Sequence, residues 1–279
     1  MKKEAKALEK YFSHKPEVAF AFLFGSQAKN IAGGISDWDI GVYFKPQGTG
    51  SVEWEETEKR YPQEDKIWND LIDIVKTDNV DLVVLNRAPS NIAAAAISGV
   101  QLAMRDRALF LDFMLLTLRQ AEDFANFIDT YYEISQRSAS LSQRDKEKLK
   151  NSIDFLEQEM NYYDYFSGFV FSDYQDAHKR RDLERWVENL INCAIDIGEI
   201  ILASQKKRMP QYYKDVFIEL GFLPEFKALE VEKFAGWVKL RNILAHEYLD
   251  IKWPRISNFV QESQPHFCEF LKNAKKPLR

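Results

Sequence analysis

Val18-Ala19-Phe20-Ala21-Phe22-Leu23-Phe24 is an unbroken apolar run that stops at Gly25, the pattern of a buried strand entering a turn. Asp39-Ile40-Gly41-Val42-Tyr43-Phe44 reads as a second strand, ending before Pro46-Gln47-Gly48. Val80-Asp81-Leu82-Val83-Val84-Leu85 reads as a third. Between Val52 and Lys76 the pattern is charged and helical, and a long helix is predicted from about Ala108 to Ser135. The first half is therefore α/β. Beyond the small polar stretch Ser138-Ala139-Ser140-Leu141-Ser142-Gln143-Arg144 hardly a strand-like run remains. Leu183, Val187, Leu190, Ile191, Ala194, Gly198, Ile201 and Leu202 recur at the three- and four-residue spacing of an amphipathic helix. Further helices are predicted at about 142–167, 210–220 and 225–247, and Pro254 suits the first turn of a last one. The expectation is an α+β chain, with a mixed α/β domain over 1–138 and an all-helical bundle over 139–279.

Bulk properties narrow the class. With 46% hydrophobic and 29% charged residues the chain reads as a soluble globular protein. Its charged first ten residues are unlike a secretory signal, and the apolar stretch Ala108–Leu118 is too short and too polar to span a bilayer. A cytoplasmic protein with no membrane partner is expected. Cys193 and Cys268 lack metal or disulfide spacing and are expected to be reduced and semi-buried. From Ser140 onward there are 22 basic and 22 acidic residues, against 16 and 21 before it. Neither half binds nucleic acid by net charge, so any RNA contact must be local. The basic runs Lys179-Arg180-Arg181 with Arg185, and Lys206-Lys207-Arg208, read first as solvated helix ends. Tyr162, Tyr163, Tyr165 and Phe166 read as core and dimer surface rather than a base-stacking platform.

Candidate chemistry begins at the first turn. Residues two apart in a strand share a face, so Asp37 and Asp39 set their carboxylates side by side while Trp38 points away. Such a pair suits Mg²⁺, which takes hard oxygen ligands and keeps phosphates and waters in its shell. Gly25-Ser26 brings backbone N–H groups and a hydroxyl towards phosphate oxygens. Asp81 adds a third carboxylate, as a metal ligand or as a base for an attacking hydroxyl. An isolated D-x-D is usually a solvated strand edge; the combination is more specific. Together these residues resemble the minimal nucleotidyltransferases of the polymerase-β superfamily, over about residues 10–135. The resemblance implies a small mixed sheet with helices, Mg²⁺, and transfer of a nucleoside monophosphate from ATP. Gly25 and Ser26 would hold the triphosphate, and Asp37, Asp39 and Asp81 the metal. Many members carry an Arg shortly after the Gly-Ser; here Lys29 stands in that neighbourhood.

A second constellation is Arg241-Asn242-Ile243-Leu244-Ala245-His246-Glu247-Tyr248. RNA is cleaved without metal when its 2′-hydroxyl attacks the adjacent phosphate, with a His moving protons and an Arg meeting the charge that builds. On one helix Arg241 and His246 lie about 140° apart while Asn242 shares the His246 face. Either a site shared across a two-fold dimer or a helix ending near His246 would aim both at one phosphate. With Leu183-Glu184-Arg185-Trp186-Val187-Glu188-Asn189-Leu190, Asp196-Ile197-Gly198 and Tyr213-Lys214-Asp215-Val216-Phe217, the motif resembles the HEPN ribonucleases of the HepT type over about residues 145–272. That resemblance implies catalytic Arg241 and His246, a homodimeric cleft, RNA of a structured or tRNA-like kind as target, and Tyr248 as a residue modified by an adenylyltransferase partner.

The two resemblances in one chain point to a fused toxin–antitoxin of the type VII MntA–HepT kind, in which the first domain would adenylylate Tyr248 and silence the second. Two rivals stand beside it: a small-molecule nucleotidyltransferase of the aminoglycoside-modifying kind, and a nucleotide-sensing module without transfer chemistry.

Overall fold

The computed structural model describes residues 3–28, 37–46, 52–54, 59–137, 141–244 and 253–278, and the chain divides into two compact units, Met1–Asn126 and Phe127–Arg279. The first unit holds α1 (Lys3–Phe12), β1 (Val18–Phe24), the one-turn α2 (Gly25–Ala28), β2 (Trp38–Phe44), α3 (Glu64–Val75), β3 (Val80–Val84), α4 (Ser90–Ile97), β4 (Val100–Met104) and the greater part of α5 (Arg107–Ser135). Its sheet has the order β3-β2-β1-β4, with β1 antiparallel to β2 and β4 and β2 parallel to β3. This is the small mixed sheet flanked by helices that the sequence leads one to expect.

β1 is buried along its whole length because helices cover both faces of the sheet. Ala21 and Leu23 join an apolar layer with Leu8 and Phe12 of α1 and Ile67 and Leu71 of α3. Phe20, Phe22 and Phe24 face the other way, towards Ala93 and Ala96 of α4 and Leu109 and Phe113 of α5. A strand covered on both sides has no polar face, hence the continuous run. β2 follows the same alternation: Trp38, Ile40, Val42 and Phe44 enter the α1–α3 layer, which turns Asp39, Gly41 and Tyr43 to the opposite face. Asn86, fully buried, closes the end of β2 by donating to the Phe44 carbonyl at 2.9 Å and accepting the Phe44 N–H at 2.8 Å.

The second unit is built from α6 (Gln143–Met160), α7 (Tyr163–Ser167), α8 (Phe171–Gln175), α9 (Ala177–Ser204), α10 (Tyr213–Gly221), α11 (Val231–Leu244) and α12 (Trp253–Ala274). Among its described residues there is no strand. α6 starts on a reciprocal cap: Ser142 Oγ accepts the Asp145 N–H while the Asp145 carboxylate accepts the Ser142 N–H, each at 3.2 Å. The single helix expected over 142–167 is in fact two, broken at Asn161-Tyr162. α9 is the central element, packed by α6, α10 and α11. Gly198 permits the α10 contact, since a Cβ there would lie 2.5 Å from Val216 Cγ1. The two thiols are free but not semi-buried as expected: Cys193 is buried between α9 and α6, and Cys268 is exposed. Tyr163 and Phe166 are core residues, whereas Tyr162 and Tyr165 are exposed. Among the described residues no helix is long and apolar enough to cross a membrane.

Candidate catalytic sites

In the first unit the chemistry gathers where β1 ends. Gly25 has φ +67°, the left-handed conformation that glycine adopts at least cost, and it turns the chain from β1 into α2. A Cβ on Gly25 would stand 1.9 Å from Asp39 Oδ2. The missing side chain is therefore the space that the Asp39 carboxylate occupies, and the glycine turn and the carboxylate form one site. Across the sheet Asp39 is in register with Phe24 on β1 and with Asp81 on the parallel β3. Register partners share a face about 4.8 Å apart, so Asp39 and Asp81 stand together. Asp37, exposed just before β2, is close enough to act on Asp39 electrostatically.

The Asp39 carboxyl is held above the usual carboxylate range, first by burial, then by the charges of Asp81 and Asp37. This mutual repulsion is what a bound cation relieves, and all the donors are hard oxygens, so the set fits Mg²⁺. Among the described residues no group of three or more His, Cys, Asp or Glu stands at metal-holding spacing. A Mg²⁺ shell that relies on substrate phosphate and water needs only one or two protein carboxylates. Ser26, the second residue of α2, is half-buried beside the turn. Lys29 lies outside the described residues.

In the second unit Arg241 sits near the end of α11. Its Nε donates to Asn192 Oδ1 of α9 at 2.7 Å, and Nη1 donates to Asn242 Oδ1 at 3.3 Å. The guanidinium stacks over the Tyr213 ring of α10 at 5.3 Å from its centroid. Three helices thus fix one cation. Asn242, which accepts that second bond, is buried; His246 and Tyr248 lie outside the described residues.

Sequence reasoning named Asp196 only within a family motif, and it missed Asn192 and Glu199 on the same helix. Asp196 is reached by solvent, yet the protein around it pushes its carboxyl up to about 6, against the opposing charges of Lys148 and Arg241. Glu199 is buried, and among the described residues its Oε1 has no hydrogen-bond partner. Burial pushes it up to about 8, with Asp196 adding and Lys148 opposing. Asn192, Asp196 and Glu199 follow each other at four and three residues, so they form a polar stripe on the otherwise largely apolar second half of the helix. That interruption was the available signal.

Comparison with known families divides the chain in the same way. Residues 6–108 match the family model for polymerase beta nucleotidyltransferases, and residues 149–274 match that for HepT-like ribonucleases. The first segment holds Gly25, Asp37, Asp39 and Asp81; the second holds Asn192, Tyr213 and Arg241. No curated protein matches the chain.

Proposed function

We propose that this chain, a fusion of a polymerase-β-type nucleotidyltransferase domain with a HepT-like HEPN domain, uses the first to silence the second. The first domain would transfer AMP from ATP to Tyr248, and the second would be a metal-independent ribonuclease with Arg241 and His246 as its catalytic pair. The observation that carries the reading is the presence in one chain of a glycine turn packed on paired carboxylates and an arginine fixed by three helices.

In the transfer step the Gly25-Ser26 turn holds the triphosphate through backbone N–H groups and a hydroxyl. Asp81 takes the proton from the Tyr248 hydroxyl, whose oxygen attacks the α-phosphorus. The new Tyr–O–P bond forms as the bond to pyrophosphate breaks, and pyrophosphate leaves. Mg²⁺ held by Asp37 and Asp39, when bound, would neutralise the triphosphate and the departing pyrophosphate. In the cleavage step Arg241 meets the charge that builds on the RNA phosphate, and His246 moves the protons between the 2′-hydroxyl and the leaving oxygen. Pairing of two HEPN domains about a two-fold axis would bring two such sets to one cleft. An AMP group on Tyr248, two residues from His246, adds a phosphate that competes with RNA for Arg241, and a base that blocks its approach.

Expression tests the pair. Asp37→Asn with Asp39→Asn removes the silencer and should arrest growth, and adding His246→Ala should restore it. Equal growth of cells carrying the two forms would refute the nuclease.

A further inference from the structure

Resting on the nuclease reading, we propose that an unpaired RNA strand lies along one face of α9, its phosphates met by Arg181 and Arg185, and enters the cleavage site at Arg241. At 100° per residue Arg181, Arg185, Asn192 and Asp196 fall within about 60° of one another around the helix. Arg181, Arg185 and Asp196 are exposed and Asn192 is half-buried. From Leu183 onward the helix is largely covered by its neighbours, and its exposed residues, Arg185 and Asp196, fall on this face; its first six residues, Arg181 among them, are open or half-open all round. That face leads to the site, because Asn192 is the residue that accepts the Arg241 Nε–H at 2.7 Å.

Helix rise sets the spacing. Arg185 stands about 10 Å from Asn192 along the axis and Arg181 about 6 Å further. The step between the two arginines is close to that between neighbouring phosphates of a single strand. Charge then sets the direction. Towards the start of α9 the open face carries Arg181 and Arg185, with His178 on the same face; past Asn192 it carries the exposed Asp196. A polyanion held at Arg241 is drawn towards the helix start and repelled from its end. Glu188 pairs with Arg185 at 3.4 Å, but exposed pairs of this kind are weak and yield to a phosphate. A chain with net charge −5 needs such a local cation line to hold RNA at all.

The test uses the full chain carrying Asp37→Asn and Asp39→Asn, so that the nuclease is unsilenced, and a fluorescein-labelled, unstructured RNA oligonucleotide. Arg181→Gln with Arg185→Gln should raise KM about tenfold and leave kcat within about twofold. It should also reduce the slope of log KM against log salt by about 1.4, since each single-strand phosphate contact contributes about 0.7. Its melting curve should match the parent's, as both side chains are exposed. A charge-matched pair elsewhere on the unit, Arg144→Gln with Lys227→Gln, should change neither KM nor slope. A parent that cleaves, with KM and slope unaltered by the Arg181 and Arg185 changes, overturns the track alone. A parent that neither binds nor cleaves overturns the nuclease reading and the track with it.

Discussion

Replacing Gly25 by Ala should stop AMP transfer while leaving the first domain folded. Two effects act, and they fall on different observables. At φ +67° an L-residue is strained, at a cost of about 1–2 kcal/mol, which corresponds to a drop of several degrees in melting temperature for a domain of this size. Separately, the new Cβ would lie 1.9 Å from Asp39 Oδ2 and 2.9 Å from its Cγ, where ordinary contact begins at 3.4 Å. The oxygen must retreat by about 1.5 Å, the difference between 3.4 and 1.9 Å. Swinging the end of one side chain adds little to the folding cost, but it displaces a carboxylate proposed to hold the Mg²⁺ of the reacting triphosphate. A misplacement of about 1 Å costs on the order of 100-fold in rate. The expected result is therefore AMP incorporation slowed at least about 100-fold, at a stability loss of only about 1–2 kcal/mol. The assays are the time course of AMP addition by intact mass and a thermal melt. Gly41→Ala is the control: its Cβ would press on Ala96 Cβ at 3.0 Å and Leu85 Cδ2 at 3.1 Å, a core contact. It should cost stability with little loss of rate. Transfer by the Gly25→Ala chain within about threefold of the parent rate would show that Asp39 is not where the chemistry needs it.

Two further outcomes are expected in the second domain. In the unsilenced chain Asn192→Ala should lower kcat for RNA cleavage about 10- to 100-fold, the worth of one charge-assisted hydrogen bond, with KM within about twofold. Asn192→Asp, which keeps an acceptor for Arg241, should recover most of the rate, and an unchanged kcat in Asn192→Ala would remove Asn192 from the site. Glu199 gives a pH dependence whose sign is fixed by its raised carboxyl, about 8 when folded against 4.5 for the ordinary side chain. Between those values the folded state keeps a proton that the unfolded chain releases, so this stability is complete below 4.5 and lost as pH rises through about 8. Glu199→Gln should therefore flatten the melting temperature across that range and leave the variant more stable than the parent above pH 8, by up to a few kcal/mol. A parallel decline in both proteins would place the cause elsewhere.

The carboxylate site was legible because strand periodicity is strict. Trp38 and Asp39 had to take opposite faces, as the burial of Trp38 among Ile40 and Val42 shows; Asp37 lies just before the strand. What brings Asp39 onto Asp81 is the parallel pairing of β2 with β3, which lies between segments far apart in sequence. β4 escaped notice because only Leu102 of its five residues is buried, so the edge strand shows no alternation. The split between α6 and α7 was hidden by tyrosines that continue the apolar pattern across it. Arg241 was visible as a motif residue, but its orientation was not. Its anchors, Asn192 and Tyr213, come from two other helices and are 49 and 28 positions away in the chain. In α9 the apolar positions were read as the signal, while the polar stripe among them carries Asn192, the anchor of Arg241.

The most direct test is the intact mass of the purified chain before and after incubation with Mg-ATP, alongside Asp37→Asn and Tyr248→Phe. Silencing by self-adenylylation requires a gain of whole AMP units in the parent and none in either variant. A parent that starts unmodified and gains nothing would contradict it. So would ATP turnover that appears only when an aminoglycoside is added, which would make the chain a small-molecule transferase.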